Sequence, residues 1–318
     1  IGIDVACRVG NAMYPDHYDR GWHITGSTGT LGAAAACARL LKLNEQQTGM
    51  ALGIAASQPI GMREQFGTMT KPFHPGAAAR AGLMSALMAQ QGFTASPKAL
   101  EAPRGMMQTV SIKNDWREIT HELGERFEIS FNSYKPFACG IVIHPSIDAC
   151  AQLRAKGVRP EQVQRIDLRV HSLVLELTGK KEPVDGLQAK FSVYHGCAAG
   201  LTFGFAAEEE FSDHIVTRDD MVALRRKVVA TVDDSIDEAS ADVTATLTDG
   251  STVHVFVEHA IGSLQNPMTQ ALLEGKFHGL SDPVLGPEQT TALINACWAI
   301  GTAANVQSIV QLATPKAP

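Results

Sequence analysis

No two of the six cysteines form a C-x-x-C pair; Cys7, Cys37, Cys139, Cys150, Cys197 and Cys297 are scattered singly along 318 residues. That spacing gives no zinc-binding pattern and no metal site. Four of these thiols lie among apolar or small residues and read as buried, reduced side chains. Positive charge is not in excess either. The formal net charge is −6 and the pI about 6.0, with no basic stretch to follow a phosphate backbone, so nucleic acid is not an expected partner. The sequence contains no transmembrane-length apolar run and no secretory signal pattern. A reduced, cytoplasmic protein without a membrane partner is therefore expected. No G-x-G-x-x-G follows a strand pattern, and no Walker loop or G-x-S-x-G occurs, which removes support for dinucleotide, nucleotide and serine-hydrolase chemistry. Repeats and low-complexity segments are missing too.

What the chain does have is a 45% hydrophobic composition, enough for a large core divided into two domains or one large and one small. It opens at Ile1-Gly2-Ile3-Asp4-Val5 already in helical apolar spacing, as in the middle of a helical domain, so an N-terminal portion is expected to precede it. Residues 1–130 read as helices packed through small side chains. Gly32-Ala33-Ala34-Ala35-Ala36-Cys37-Ala38-Arg39-Leu40-Leu41 predicts a helix with almost no bulk, suited to close helix–helix approach. Asn44 is placed to cap a helix over 45–57, and a third helix is expected from about His74 to Gln91, ending at Gly92. The pattern then changes. Residues 164–171 alternate as a strand with one wet face, and 243–258 holds two alternating runs around Asp249-Gly250, a hairpin signal. Helical stretches are expected over about 187–205 and 219–229. The fold class expected is thus mainly α with an α+β second domain at residues 131–282, followed by C-terminal helices in 283–318 that return to the helical domain.

Four stretches can carry chemistry. In Gly21-Trp22-His23-Ile24-Thr25-Gly26-Ser27-Thr28-Gly29-Thr30, the hydroxyls of Ser27, Thr28 and Thr30 can simply cap the alanine helix. His23, in a Gly-bounded turn rather than on an apolar face, reads better as a proton-transfer group. Lys71 and His74, each followed by proline, sit at a helix entrance; they form either a carboxylate-binding start or an ordinary solvated one. Lys135 either grips a carboxylate at the domain boundary or merely precedes a helix begun by His144-Pro145. Cys139 between them has no adjacent base and reads as a packed thiol. Tyr194 and His195 interrupt an apolar helix, as site lining or as its edge. Two methionine pairs, Met62/Met69 and Met106/Met107, are expected in the core.

Taken in order, Gly21-Trp22-His23-x-Thr25-Gly26-x-x-Gly29, Thr70-Lys71-Pro72-x-His74-x-Gly76-x-Ala78-Ala79, Tyr134-Lys135-Pro136-x-x-Cys139-x-x-x-x-His144-Pro145-x-x-Asp148-Ala149, Lys190-Phe191-Ser192 and Ile261-Gly262-Ser263-x-x-Asn266-Pro267 span nearly the whole chain. Singly they are weak; five in sequence are specific. The set resembles the MmgE/PrpD family, which includes 2-methylcitrate dehydratase, cis-aconitate decarboxylase and iminodisuccinate epimerase. The resemblance implies a large all-helical domain, a smaller α+β lid domain, a homodimer and a cofactor-free active site. It implies proton transfer beside a carboxylate of a small di- or tricarboxylic acid, with His23 and Lys71 catalytic and Lys135, His74, Tyr194 and Thr25 binding substrate. An epimerase of an iminodisuccinate-like acid is the alternative within enzymes, and a non-catalytic carboxylate-binding or scaffold protein the alternative outside them. Two departures stand out. Family members begin with a further helical segment carrying an Asp-rich motif and a nearby histidine, which does not occur here. The decarboxylase branch carries a tyrosine in the strand region matching His171 to Thr178, where this chain has none, which counts against decarboxylation.

Overall fold

The computed structural model describes residues 1–315, so the last three residues of the expected C-terminal segment lie outside it. The chain forms two compact units, Ile1–Asn132 and a second from Ser133 onward.

The first unit is helical. Its main helices are α1 (Gly2–Met13), α2 (Ile24–Leu40), α3 (Glu45–Ala55) and α4 (Thr70–Gln90). Small residues set their spacing. A Cβ on Gly32 of α2 would stand 2.4 Å from the Gly2 carbonyl oxygen of α1. A Cβ on Gly82 of α4 would stand 2.4 Å from Ala33 Cβ and 2.6 Å from the Ala34 nitrogen of α2. Backbones this close leave room for nothing larger than hydrogen, which is the use of the alanine and glycine run. Bulk is supplied beside the crossing by Val9, Met13, Leu31, Met106, Met107 and Val110. Met106 and Met107 are core residues as expected. Met62 and Met69 are not: they are 50% and 83% exposed, on the irregular segment before α4.

Helix boundaries differ from the sequence reading in an informative way. Asn44 does cap α3, and with Gln47 it forms a reciprocal capping box. Helix α2, however, begins at Ile24 rather than near Gly32. Thr28 and Thr30 are inside it and donate to the Ile24 and Gly26 carbonyls four residues back, at 3.0 and 3.1 Å, and Ser27 likewise donates backward to Ile24 at 3.2 Å. Backward bonding lets these buried hydroxyls stay in the helix instead of capping it. Helix α4 begins at Thr70, four residues before the expected start. Pro72 fits in its first turn, where the missing N–H is not needed, and Pro75 is carried inside. Gly92, at φ +87°, follows its C-terminus as expected.

The second unit is α+β. It contains α5 (His144–Ala155), β1 (Val163–Val170), α6 (Ser172–Thr178), α7 (Val193–Phe203), α8 (Asp219–Arg225), β2 (Val228–Val232), β3 (Ala241–Leu247) and β4 (Thr252–Val257). Helices α9 (Gln270–Leu285), α10 (Pro287–Trp298) and α11 (Gln307–Leu312) follow. The sheet order is β2-β1-β3-β4, with β1 and β2 parallel and the other pairs antiparallel. On β1, Val163, Ile166, Leu168 and Val170 turn inward and Arg165 and Arg169 outward, the alternation read from sequence. Gly250, at φ +84°, makes the β3–β4 turn. Helix α7 packs on α5 so closely that a Cβ on Gly200 would meet the Ile147 carbonyl at 2.6 Å.

Two elements were misread. Val228–Val232 is strand β2, not the end of a helix; it follows α8 too closely for local pattern to separate them. Residues 172–178, where the family resemblance implies a strand, form helix α6. The His171 side chain caps it, accepting from the Leu173 N–H at 3.2 Å.

The glycine contacts give a test of sign. Gly82→Ala should gain about 1 kcal/mol of helix propensity if space allowed. Against the backbone of α2 it should instead destabilise the protein by about 1–3 kcal/mol. A lower urea midpoint at unchanged slope is expected, and a raised midpoint would refute the close crossing.

Candidate active site

Three of the residues singled out in the sequence meet in the first unit. His23 is not in a flexible turn. It is the N-cap of α2, 9% exposed, and its carbonyl accepts from Gly26 and Ser27 N–H at 2.9 and 3.2 Å. Its own N–H donates to the Gly61 carbonyl at 3.0 Å, and Arg63 N–H donates to the Gly21 carbonyl at 2.8 Å. A short antiparallel bridge between Trp22 and Met62 thus fastens the start of α2 to the segment leading into α4. Behind it, buried His17 bonds Ser27 Oγ through Nε2 at 2.7 Å and stacks on Trp22.

His74 reaches the same point from the second turn of α4. It is 3% exposed, and its Nδ1 lies 2.9 Å from His23 Nδ1. Gly61 makes the meeting possible. At φ +101° it adopts a conformation that suits glycine, and a Cβ there would fall 2.8 Å from His74 Nδ1 and 3.3 Å from His23 Cβ. Phe66 stands edge-on to His23, with ring centroids 5.0 Å apart. Lys71 Nζ lies 5.0 Å from the centre of that same ring, a cation–π distance. Burial first, and then the Lys71 charge, push His23 down to about 4, so the imidazole is neutral at pH 7. A neutral, hydrogen-bonded imidazole thus stands beside an ammonium group. Thr25 is exposed in the first turn of α2.

Lys135 and Tyr194 belong to the second unit. Lys135 Nζ donates to the Cys139 carbonyl at 3.1 Å, and Lys276 Nζ donates to the Lys135 carbonyl. Burial holds the Lys135 amine below its usual range, and the Lys276 charge acts in the same direction. His144 is buried edge-on against Phe137; burial and then the Lys135 charge push it down to about 3. Cys139 is a packed thiol, as expected, raised to about 12 by burial. Tyr194 is buried on α7, its pKa raised by burial, with Lys181 Nζ 5.9 Å from its ring centre. Among the described residues no three His, Cys, Asp or Glu side chains are grouped to hold a metal ion.

Sequence reasoning missed Phe66 and Gly61. Phe66 lies outside every motif, and nothing in its spacing marks it as the surface shared by His23 and Lys71. Gly61 has a sequence cue only in being a glycine between apolar residues. Its role depends on two histidines 51 positions apart meeting at its face.

Known proteins extend this picture. The MmgE/PrpD N-terminal domain matches residues 1–119 and the MmgE/PrpD C-terminal domain matches residues 137–300. A cis-aconitate decarboxylase-like protein of Aspergillus oryzae is 27% identical over 334 residues, covering 98% of this chain and 69% of that protein. A cis-aconitate decarboxylase of Aspergillus terreus is 25% identical over 98% of this chain and 69% of its own length. A 2-methylcitrate dehydratase of Salmonella typhimurium is 25% identical over 60% of this chain and 43% of its own length. With both domains matched across most of its length, the chain belongs to the MmgE/PrpD family.

Proposed function

We propose that this protein is a lyase that moves a proton on the carbon next to a carboxylate of a small di- or tricarboxylic acid. The observation that carries this reading is the neutral His23 imidazole, locked in place beside Lys71. The similar decarboxylases and dehydratase are lyases acting on acids of this kind by their names, which supports it. In the proposed step the Lys71 ammonium pairs with the carboxylate and lowers the cost of the enediolate that forms when the neighbouring carbon loses its proton. His23 takes that proton. In a dehydration, hydroxide then leaves the next carbon and departs as water once protonated. In a decarboxylation the carbon–carbon bond breaks first, carbon dioxide leaves, and a His23 that has taken a proton from solvent delivers it to the carbanion.

Turnover assays with citrate, 2-methylcitrate, cis-aconitate and iminodisuccinate in heavy water distinguish the outcomes. Water loss creates an alkene absorbing in the ultraviolet. Decarboxylation releases carbon dioxide and leaves deuterium in the product. Deuterium entering an acid of otherwise unchanged composition marks an epimerase, and thermal stabilisation without turnover marks a binding protein. On the substrate so found, His23→Ala is expected to lower kcat by about 10²–10⁴-fold and Lys71→Ala by about 10²–10³-fold. Near-normal kcat in both variants rejects the assignment.

The pH profile supplies a separate check. Because His23 in the unliganded protein is depressed to about 4, it loses its basic form only as pH falls through that value. The acid limb of kcat/KM in the proton-abstracting direction should therefore lie near 4, well below an ordinary histidine. A bound polycarboxylate adds negative charge and favours imidazolium, so the acid limb of kcat should lie at higher pH than that of kcat/KM. An acid limb of kcat/KM at an unperturbed histidine value would contradict this assignment.

A further inference from the structure

We propose that His74 is a positioning residue that sets the tautomer of His23: His23 donates its Nδ1 proton to Nδ1 of His74 and keeps Nε2 bare. The inference deepens the reading of His23 as the base and rests on it.

The argument begins with the atoms that touch. The two Nδ1 atoms are 2.9 Å apart, a distance that requires one proton between them. A neutral imidazole carries a proton on one nitrogen only. With both rings neutral, one must be the Nδ1–H tautomer and the other the Nε2–H tautomer, so the bond gives the rings opposite tautomers. A neutral histidine in water prefers Nε2–H, the form whose outer nitrogen cannot accept a proton. In the proposed assignment His74 is the acceptor, and its bare Nδ1 reverses that preference in His23.

Surrounding groups leave His23 little freedom to escape this constraint. Its backbone N–H is committed to Gly61 and its carbonyl to Gly26 and Ser27. Phe66 packs at a near right angle against the ring. The titratable groups facing it, Lys71 and His74, both come from α4, three residues apart and therefore on one helix face. The Lys71 charge opposes protonation of His23. When Nε2 accepts a proton from carbon, His23 becomes an imidazolium whose Nδ1–H already points at Nδ1 of His74. The bond then strengthens as charge develops. No other proton has to move first.

Nitrogen NMR on the complete protein, with ¹⁵N-labelled histidine at pH 7, reads the tautomers without substrate. The expected wild-type spectrum has His23 protonated at Nδ1 and bare at Nε2, with His74 the reverse. In His74→Phe, which keeps the volume and removes the acceptor, His23 should change to Nε2–H. On the established substrate kcat should fall about 10²-fold with little change in KM. His74→Asn, whose side-chain oxygen can accept near the position of the lost Nδ1, should restore the Nδ1–H form and part of kcat. A wild-type His23 protonated at Nε2 overturns the proposal, and that result needs no variant to fold. A His23 tautomer indifferent to His74→Phe, or an unchanged kcat in that variant, overturns it as well. If the tautomers are as stated yet His23→Ala keeps full activity, the proposed base role fails while the tautomer lock is supported.

Discussion

Gly82 faces the backbone of Ala33 and Ala34 at a distance that excludes a single methyl group. The position of α4 against α2 depends on that contact, and the first-unit cluster depends on that position. His23 is fixed at the first residue before α2 and His74 in the second turn of α4, so the gap between their rings is set by how closely the two helices cross. Larger side chains at the crossing would move the helices apart by more than the tolerance of a hydrogen bond. Gly61 makes the same provision at the other end, keeping its own backbone clear of both rings. Glycine and alanine in this unit thus do more than fill a core: they set the distance between the two imidazoles.

Burial has an electrostatic consequence at that point. Dry surroundings and a nearby ammonium both disfavour imidazolium, so His23 rests neutral. Its basicity is correspondingly weak while the site is empty. An anionic ligand at Lys71 removes one of the two causes and adds attraction for a proton on His23. In the proposed mechanism the base therefore strengthens when a carboxylate is present, which couples proton abstraction to binding of the right class of molecule. Lys135 in the second unit shows a different arrangement. Its amine is depressed by burial too, but its nearest fixed partner is a backbone carbonyl within its own loop.

The broad fold was legible because it rests on local pattern. The α3 cap, the end of α4, the alternation of β1 and the Asp249-Gly250 turn all have signals within a few residues. The errors fell where tertiary context overrides that pattern. Ser27, Thr28 and Thr30 were read as caps, yet burial turns their hydroxyls back into the helix. Val228–Val232 is a strand because β1 lies beside it, which nothing in five residues can announce. Met62 and Met69 look like core residues and are exposed, since the segment that carries them follows the His23 bridge rather than a helix face. In the cluster itself the ordered motifs brought out His23, Lys71 and His74. The Nδ1–Nδ1 contact was beyond sequence reading, because tautomer pairing is a property of two rings at one distance and not of either residue.

That contact also bears on the two reactions named among the similar proteins, dehydration and decarboxylation. A dehydration needs a base to remove a proton from carbon; a decarboxylation needs an acid to deliver one. A histidine whose inner nitrogen is permanently committed as a donor can do either through the outer one. In the proposed mechanism it starts bare in the first reaction and protonated in the second, with the same partner accepting the inner proton. Only the occupancy of Nε2 differs at the start. In the proposed mechanism the choice between water and carbon dioxide then falls to whatever surrounds the leaving group, and not to the pair of imidazoles.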